Sequence, residues 1–156
     1  MDLIMTRIMF VCHGNICRSP MAEFIFKDLA EKAGRGAEFF VASSATSSET
    51  VWNGKGSPVY PPARAELLKH GISCEGKLSA RLSLADYEKY DLFVGMDSAN
   101  IRNMKAMLGG DPKGNVHKLM EYTARGGDVA DPWYTDRFDI AWRDIYEGCA
   151  ALLEQI

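Results

Sequence analysis

Short apolar runs alternate along this chain with longer stretches of mixed polarity. Arg7 to Val11 is such a run, rich in β-branched and aromatic side chains, and it predicts a buried strand. From Ser19 the spacing changes to that of a helix, with Pro20 at its first position and Ala22, Ile25, Phe26 and Leu29 along one side. Glu23 lies near the predicted helix start, where a carboxylate suits the dipole, and Gly34 is placed to end the helix. Phe39 to Ala42 predicts a second strand, followed by a loop rich in Ser, Thr, Gly and Pro that runs to Pro58. A helix is predicted over Ala63 to His70, closed by Gly71, and a short one capped by Ser83 runs through Glu88. Leu92 to Met96 predicts the third strand, Ala99 to Leu108 a helix stopped by Gly109 and Gly110, and Val116 to Met120 the fourth strand. Phe138 to Leu153 predicts the last helix, with Ile140, Ala141, Ile145, Cys149 and Leu152 on one side.

Strands that alternate with helices require right-handed crossovers onto a mostly parallel sheet. The expected architecture is an α/β three-layer sandwich, a central four-stranded parallel sheet flanked by helices. Composition agrees with one ordinary domain over 1–156: 47% of the residues are hydrophobic and 25% charged, with no repeat or low-complexity tract. The apolar run Ile8 to Val11 is too short for a membrane span or a signal-peptide core, so no membrane insertion is expected. A formal charge of -3, with Lys and Arg scattered singly, argues against nucleic acid as a partner. The four cysteines lack paired zinc spacing and are too few for a disulfide scaffold, which favours the reducing cytoplasm. No metal or other cofactor is implied, since His13, His70 and His117 fall in no metalloenzyme motif.

Ligands bind open α/β sheets beyond the carboxyl ends of the strands, where strand order reverses. The loop after the first strand is Cys12-His13-Gly14-Asn15-Ile16-Cys17-Arg18, and it leads directly into Ser19 and a helix. Gly14 permits a positive φ and Asn15 tolerates one, so successive N–H groups can turn inward as an anion-binding nest backed by the helix dipole. Arg18 adds a guanidinium fork suited to phosphate oxygens. The same positive surroundings favour Cys12 as a thiolate, which places a nucleophile at the bottom of a phosphate cradle. A small positive mouth on an otherwise acidic surface is expected.

At Val11 to Pro20 the chain resembles the low-molecular-weight protein tyrosine phosphatases, and the likeness extends through Met21-Ala22-Glu23, Ser43 to Ser47, His70-Gly71, Met96-Asp97 and Asp131-Pro132-Trp133-Tyr134. The resemblance implies that Cys12 attacks phosphorus, that Arg18 and the loop amides bind its oxygens, and that Asp131 is general acid and then base. It implies that the Ser19 hydroxyl eases departure of the thiolate, that Asn15 with Ser43 holds the loop, and that Cys17 can form a protective disulfide with Cys12. Trp133 and Tyr134 occupy the positions of an aromatic wall beside the phenol ring, and Trp52 is a candidate for the opposite wall. The implied partners are tyrosine-phosphorylated proteins, with inorganic phosphate as product or competing ligand, and the implied state is a monomer or weak homodimer.

Other functions stay open at this point. Relatives that hydrolyse phosphoarginine tend to carry Thr at the Ile16 position, and they lack the paired aromatics. Arsenate reductases use a similar loop with two relay cysteines, for which Cys74 and Cys149 are the remaining candidates. A domain that only binds phosphorylated partners is the alternative outside catalysis. Ala42 stands where many relatives have Asp, and Gly76-Lys77 where some place a His in the loop's hydrogen-bond network, so the support of Asn15 and Ser43 must come from elsewhere.

Overall fold

In the first strand, alternate residues are buried on opposite sides. Ile8, Phe10 and Cys12 belong to one core cluster, and Met9 and Val11 to another. A period of two with both sides buried is the mark of a sheet covered on each face. The structure, a computed structural model, describes residues 4–156. Its strands are β1 (Thr6–Cys12), β2 (Phe39–Ala45), β3 (Leu92–Gly95) and β4 (Val116–Lys118), all parallel, in the order β2-β1-β3-β4. The helices are α1 (Arg18–Lys32), α2 (Pro61–Lys69), α3 (Ser98–Met107), α4 (Pro132–Thr135) and α5 (Phe138–Gln155).

One face of the sheet is covered by α1 and α5, with α2 beside them, through Phe26, Ile25, Leu67, Ile145 and Leu152. The other is covered by α3 and the turn at Leu84–Glu88, through Met104, Leu108 and Tyr87. The result is the α/β three-layer sandwich that the alternating pattern predicts. From β1 the chain moves to β2 on one side and later to β3 on the other, so strand order reverses at β1. The loops after β1 and β3 therefore open onto the same edge. Among the described residues no helix is long and apolar enough to cross a membrane.

Several boundaries differ from expectation, each for a physical reason. The fourth strand ends at Lys118 rather than Met120. Leu119 and Met120 are both buried against the same core, which a strand's alternation forbids and a 3-10 turn over Leu119–Tyr122 allows. The second strand continues past Ala42 to Ala45, because the buried Ser43 hydroxyl finds side-chain partners. Helix α2 starts at Pro61, earlier than Ala63, since proline in a first helical turn has no N–H to lose. Helix α1 starts at Arg18, so Pro20 is its third residue and Glu23 its sixth. Glu23 is 5% exposed and sits past the first turn, so it is a buried polar anchor rather than a dipole-facing surface carboxylate.

Candidate active site

The loop after β1 closes on the sulfur of Cys12. Asn15 N–H and Ser19 N–H point at Sγ from 3.3 and 3.4 Å, and Ser19 Oγ lies 3.0 Å from it. Asn15 is the loop's left-handed residue, with φ of 55°, whereas Gly14 is not among the residues with positive φ. One left-handed residue is enough for this turn, because the Asn15 side chain is bonded on both sides. Its Nδ2 donates to Ser19 Oγ at 2.7 Å and to Ser43 Oγ at 2.9 Å, while Oδ1 accepts from Ala80 N–H at 3.1 Å. Gly14 instead offers its carbonyl to the Thr50 hydroxyl at 2.7 Å. No side chain caps the start of α1 at Cys17, which leaves first-turn N–H groups available to an anion.

Arg18 is 2% exposed and is held from one end. One of its terminal nitrogens donates to Asp97 Oδ2 at 2.7 Å and to the Val129 carbonyl at 2.9 Å. The other faces Asp131 Oδ2 at 3.4 Å. Burial works against the guanidinium charge, but Cys12, Asp97 and Asp131 outweigh it and hold the Arg18 pKa above its ordinary value. Burial also penalises Asp97, yet its bonds from Arg18 and the Asn100 N–H keep its carboxyl below the usual range. Asp97 caps α3 as it does so, accepting from Asn100 N–H at 2.8 Å. Burial, with Cys12 and Asp131 nearby, pushes the Cys17 thiol up to about 12, which keeps Cys17 a neutral thiol.

The cleft above this floor encloses about 310 Å³. Cys12, His13, Gly14, Ile16, Cys17 and Arg18 line its base, and Asp131, Trp133 and Tyr134 one wall. Asp131 caps α4, accepting from Trp133 N–H at 3.0 Å, so the acid and the aromatic side chain beside it are set by one short helix. The Trp133 ring leans on Tyr60, 5.0 Å between centroids, and Tyr60 N–H donates to the Ile16 carbonyl at 2.9 Å. Glu49 and Thr50 form the facing wall. Asn15, Ser19 and Ser43 lie behind the loop, fully buried.

Two expectations change here. Trp52 does not line the cleft: it is 75% exposed and bridges to Lys55 in a surface turn, while Thr50 takes the inward position. The mouth is not simply positive either. The cationic groups lie on the floor, whereas the rim carries Glu49, paired with His13 at 3.1 Å. Thr50, Tyr60 and Glu49 were not singled out by sequence reasoning, and Asp97 was matched within Met96-Asp97 without a role. Only Asp97, an acid between a strand and a helix, had a usable signal, that of an N-cap.

A cysteine sulfur among inward N–H groups, a buried arginine and a carboxylate on the wall above them share one cleft of an α/β fold, a donor set suited to a phosphoryl group. Comparison with known proteins gives the class its name. The sequence model of the family described as "Low molecular weight phosphotyrosine protein phosphatase" matches residues 7–156. The chain is 35% identical over 154 residues to the low molecular weight protein-tyrosine-phosphatase YfkJ of Bacillus subtilis, covering 97% of this chain and 96% of that protein. The crystal structure of YfkJ superimposes with a TM-score of 0.92, over 97% of this chain and 94% of that one. SP-PTP of Streptococcus pyogenes follows with 31% identity and a TM-score of 0.86, over 97% and 93% of the two chains. DARP, a Drosophila arginine phosphatase, has 26% identity and a TM-score of 0.83, over 95% and 96%. The chain belongs to the low molecular weight phosphotyrosine protein phosphatase family, hydrolases of phosphoric monoesters.

Proposed function

We propose that this chain hydrolyses phosphotyrosine in proteins, and small aryl phosphates, through a cysteinyl-phosphate on Cys12. The observation that carries the reading is the convergence of two N–H donors and the Ser19 hydroxyl on Cys12 Sγ within a cleft that also presents Arg18 and Asp131. In the first step Sγ attacks phosphorus as the phenolic oxygen leaves, and Asp131 gives that oxygen its proton. The Arg18 nitrogen that faces Asp131 and the loop N–H groups bind the equatorial oxygens as charge shifts among them. In the second step water attacks phosphorus, Asp131 takes the water proton, and the Ser19 O–H bond to sulfur stabilises the departing thiolate. The products are tyrosine and inorganic phosphate, which competes for the same cradle.

Trp133 and Tyr134 offer the phenol ring an apolar flank, and Ile16 lines the cleft beside Cys17. These features favour phosphotyrosine over phosphoarginine, the second reading prompted by the arginine phosphatase of like fold. A disulfide relay of the arsenate-reductase kind is disfavoured, since Cys74 and Cys149 are buried away from the cleft. Cys17 shares the cleft with Cys12, which supports a reversible disulfide that shields the nucleophile. A single domain working as a monomer or weak dimer in the cytoplasm is the accompanying reading, supported by four free thiols.

The test is turnover of phosphotyrosine, phosphoserine and phosphoarginine peptides by the purified chain and by Cys12→Ser. Phosphotyrosine is expected to be the best substrate, with turnover lost in the variant and its fold retained. Turnover that survives in Cys12→Ser contradicts the mechanism, and a preference for phosphoarginine moves the assignment to the second reading.

A further inference from the structure

Glu23 is a buried titratable group to which the reaction steps give no task. Its carboxylate meets three donors. Ser43 Oγ donates to Oε1 at 2.6 Å, and Lys77 Nζ lies 3.3 Å from the same oxygen. Lys27 Nζ donates to Oε2 at 2.6 Å. Lys27 is largely exposed, but the Lys77 side chain is only 14% exposed and also donates to the Ser43 carbonyl at 2.9 Å. Lys77 thus shares with Lys27 the compensating charge that a buried carboxylate needs, and supplies its part on the Ser43 side from a place fixed at both ends.

From Glu23 the donors and acceptors can be followed link by link to the nucleophile. A carboxylate held between two lysine ammonium groups serves its neighbours as an acceptor. The Ser43 hydroxyl must therefore donate to Glu23, which leaves its oxygen free to accept from Asn15 Nδ2 at 2.9 Å. That contact orients the Asn15 amide, as does Ala80 N–H on its oxygen, and turns the second Nδ2 hydrogen to Ser19 Oγ at 2.7 Å. Ser19 Oγ accepts there, so its own proton has to go elsewhere. Two acceptors are in range, Cys12 Sγ at 3.0 Å and the Ser44 carbonyl at 3.5 Å, and the sulfur is the nearer.

We propose that the Glu23–Lys77 ion pair, which touches no part of the cleft surface used by substrate, sets the direction of this relay so that Ser19 always faces Cys12 as a donor. Glu23 and Lys77 are positioning residues in this scheme. A neutral amide or carboxylic acid at position 23 has both donor and acceptor character, and the relay then loses its sense of direction. The inference rests on Cys12 being the nucleophile, but its test does not depend on turnover.

The experiment measures alkylation of Cys12 by iodoacetamide against pH, with the modified residue located by mass spectrometry, alongside kcat and KM for p-nitrophenyl phosphate. The variants are Glu23→Gln, Lys77→Met, Ser19→Ala and the double Glu23→Gln/Ser19→Ala. Each single variant is expected to move the alkylation midpoint to higher pH by about half a unit or more, because the thiolate loses a fixed donor. kcat should fall roughly tenfold, with KM changed by less than about twofold. The double variant should show the Ser19→Ala midpoint and no more. If Glu23→Gln shifts the midpoint equally with and without the Ser19 hydroxyl, Glu23 acts by another route and the proposal is overturned. An unmoved midpoint in Glu23→Gln and Lys77→Met overturns it as well. Should Glu23→Gln not fold, Ser43→Ala cuts the same relay one link later and is compared with its own Ser19→Ala double under the same criteria. Absence of turnover in the unaltered chain would count against the phosphatase reading, while the alkylation series would still decide the relay.

Discussion

At the scale of single residues, the proposed mechanism divides the site into groups that hold phosphate and groups that move protons. Asp131 lines the cleft wall above the Cys12 floor, at the start of α4. Asp131→Ala should slow phenyl phosphate, whose leaving group needs a proton, by about 10²-fold or more, and p-nitrophenyl phosphate far less. Equal losses in a steady-state comparison of the two esters would remove Asp131 from the acid role. Trp133 lines the cleft and Trp52 does not. Trp133→Ala should raise KM for aryl phosphates several-fold, on the order of 1 kcal/mol of aromatic contact, while Trp52→Ala should change kcat/KM by less than about twofold. A larger effect of Trp52→Ala would place that side chain back over the site.

At the scale of elements, α3 serves the site without contributing a side chain to the cleft lining. Gly95, the last residue of β3, lets α3 approach so closely that a Cβ there would stand 2.9 Å from Met104 Sδ and 3.0 Å from Ile101 Cδ1. Gly95→Ala should cost about 1–3 kcal/mol by overpacking, read as a lower urea midpoint, and should weaken phosphate inhibition by displacing Asp97 from Arg18. Stability lost with phosphate affinity unchanged would separate the helix from the site. Asp97 also carries a pH dependence. Its carboxyl lies below the usual aspartate range, so its stabilising contribution is complete above pH ~4, where an unfolded aspartate is ionised. That contribution is lost as pH falls through the lower folded value. Unfolding midpoints of Asp97→Asn, measured over the acid range, should fall less steeply than those of the unaltered chain. Parallel curves would show that the Arg18 contact contributes nothing to stability.

At the scale of the whole molecule, charge is organised by depth. The chain has a formal charge of -3, and Glu49 stands at the rim, while Arg18 and the loop N–H groups are on the floor. Repulsion at long range is screened by salt, but contacts on a buried floor are screened much less. For a phosphotyrosine peptide with acidic flanks, kcat/KM should therefore rise about two- to threefold between low and physiological ionic strength. A marked fall would mean that a positive outer field, and not the floor, drives capture.

Much of this protein was legible in the chain because its information is local. Seven residues from Cys12 to Arg18 carry the proposed nucleophile, the left-handed asparagine and the arginine, and a strand before and a helix after them fix their geometry. The alternation of apolar runs likewise implied a covered parallel sheet, since side-chain direction along a strand or helix follows from backbone period alone. What lies between distant segments was not legible. Asp97 meets Arg18 across 79 positions, Lys77 meets the Ser43 carbonyl across 34, and Ser43 meets Glu23 across 20. The choice of Thr50 over Trp52 for the cleft wall depends on how one loop is tied to its neighbours: the Thr50 side chain bonds Gly14, and its carbonyl accepts from Ser57 and Ser79. Local sequence determined which chemistry this protein carries. Packing decided which neighbours orient it, because a buried polar group must find its partners wherever the fold brings them.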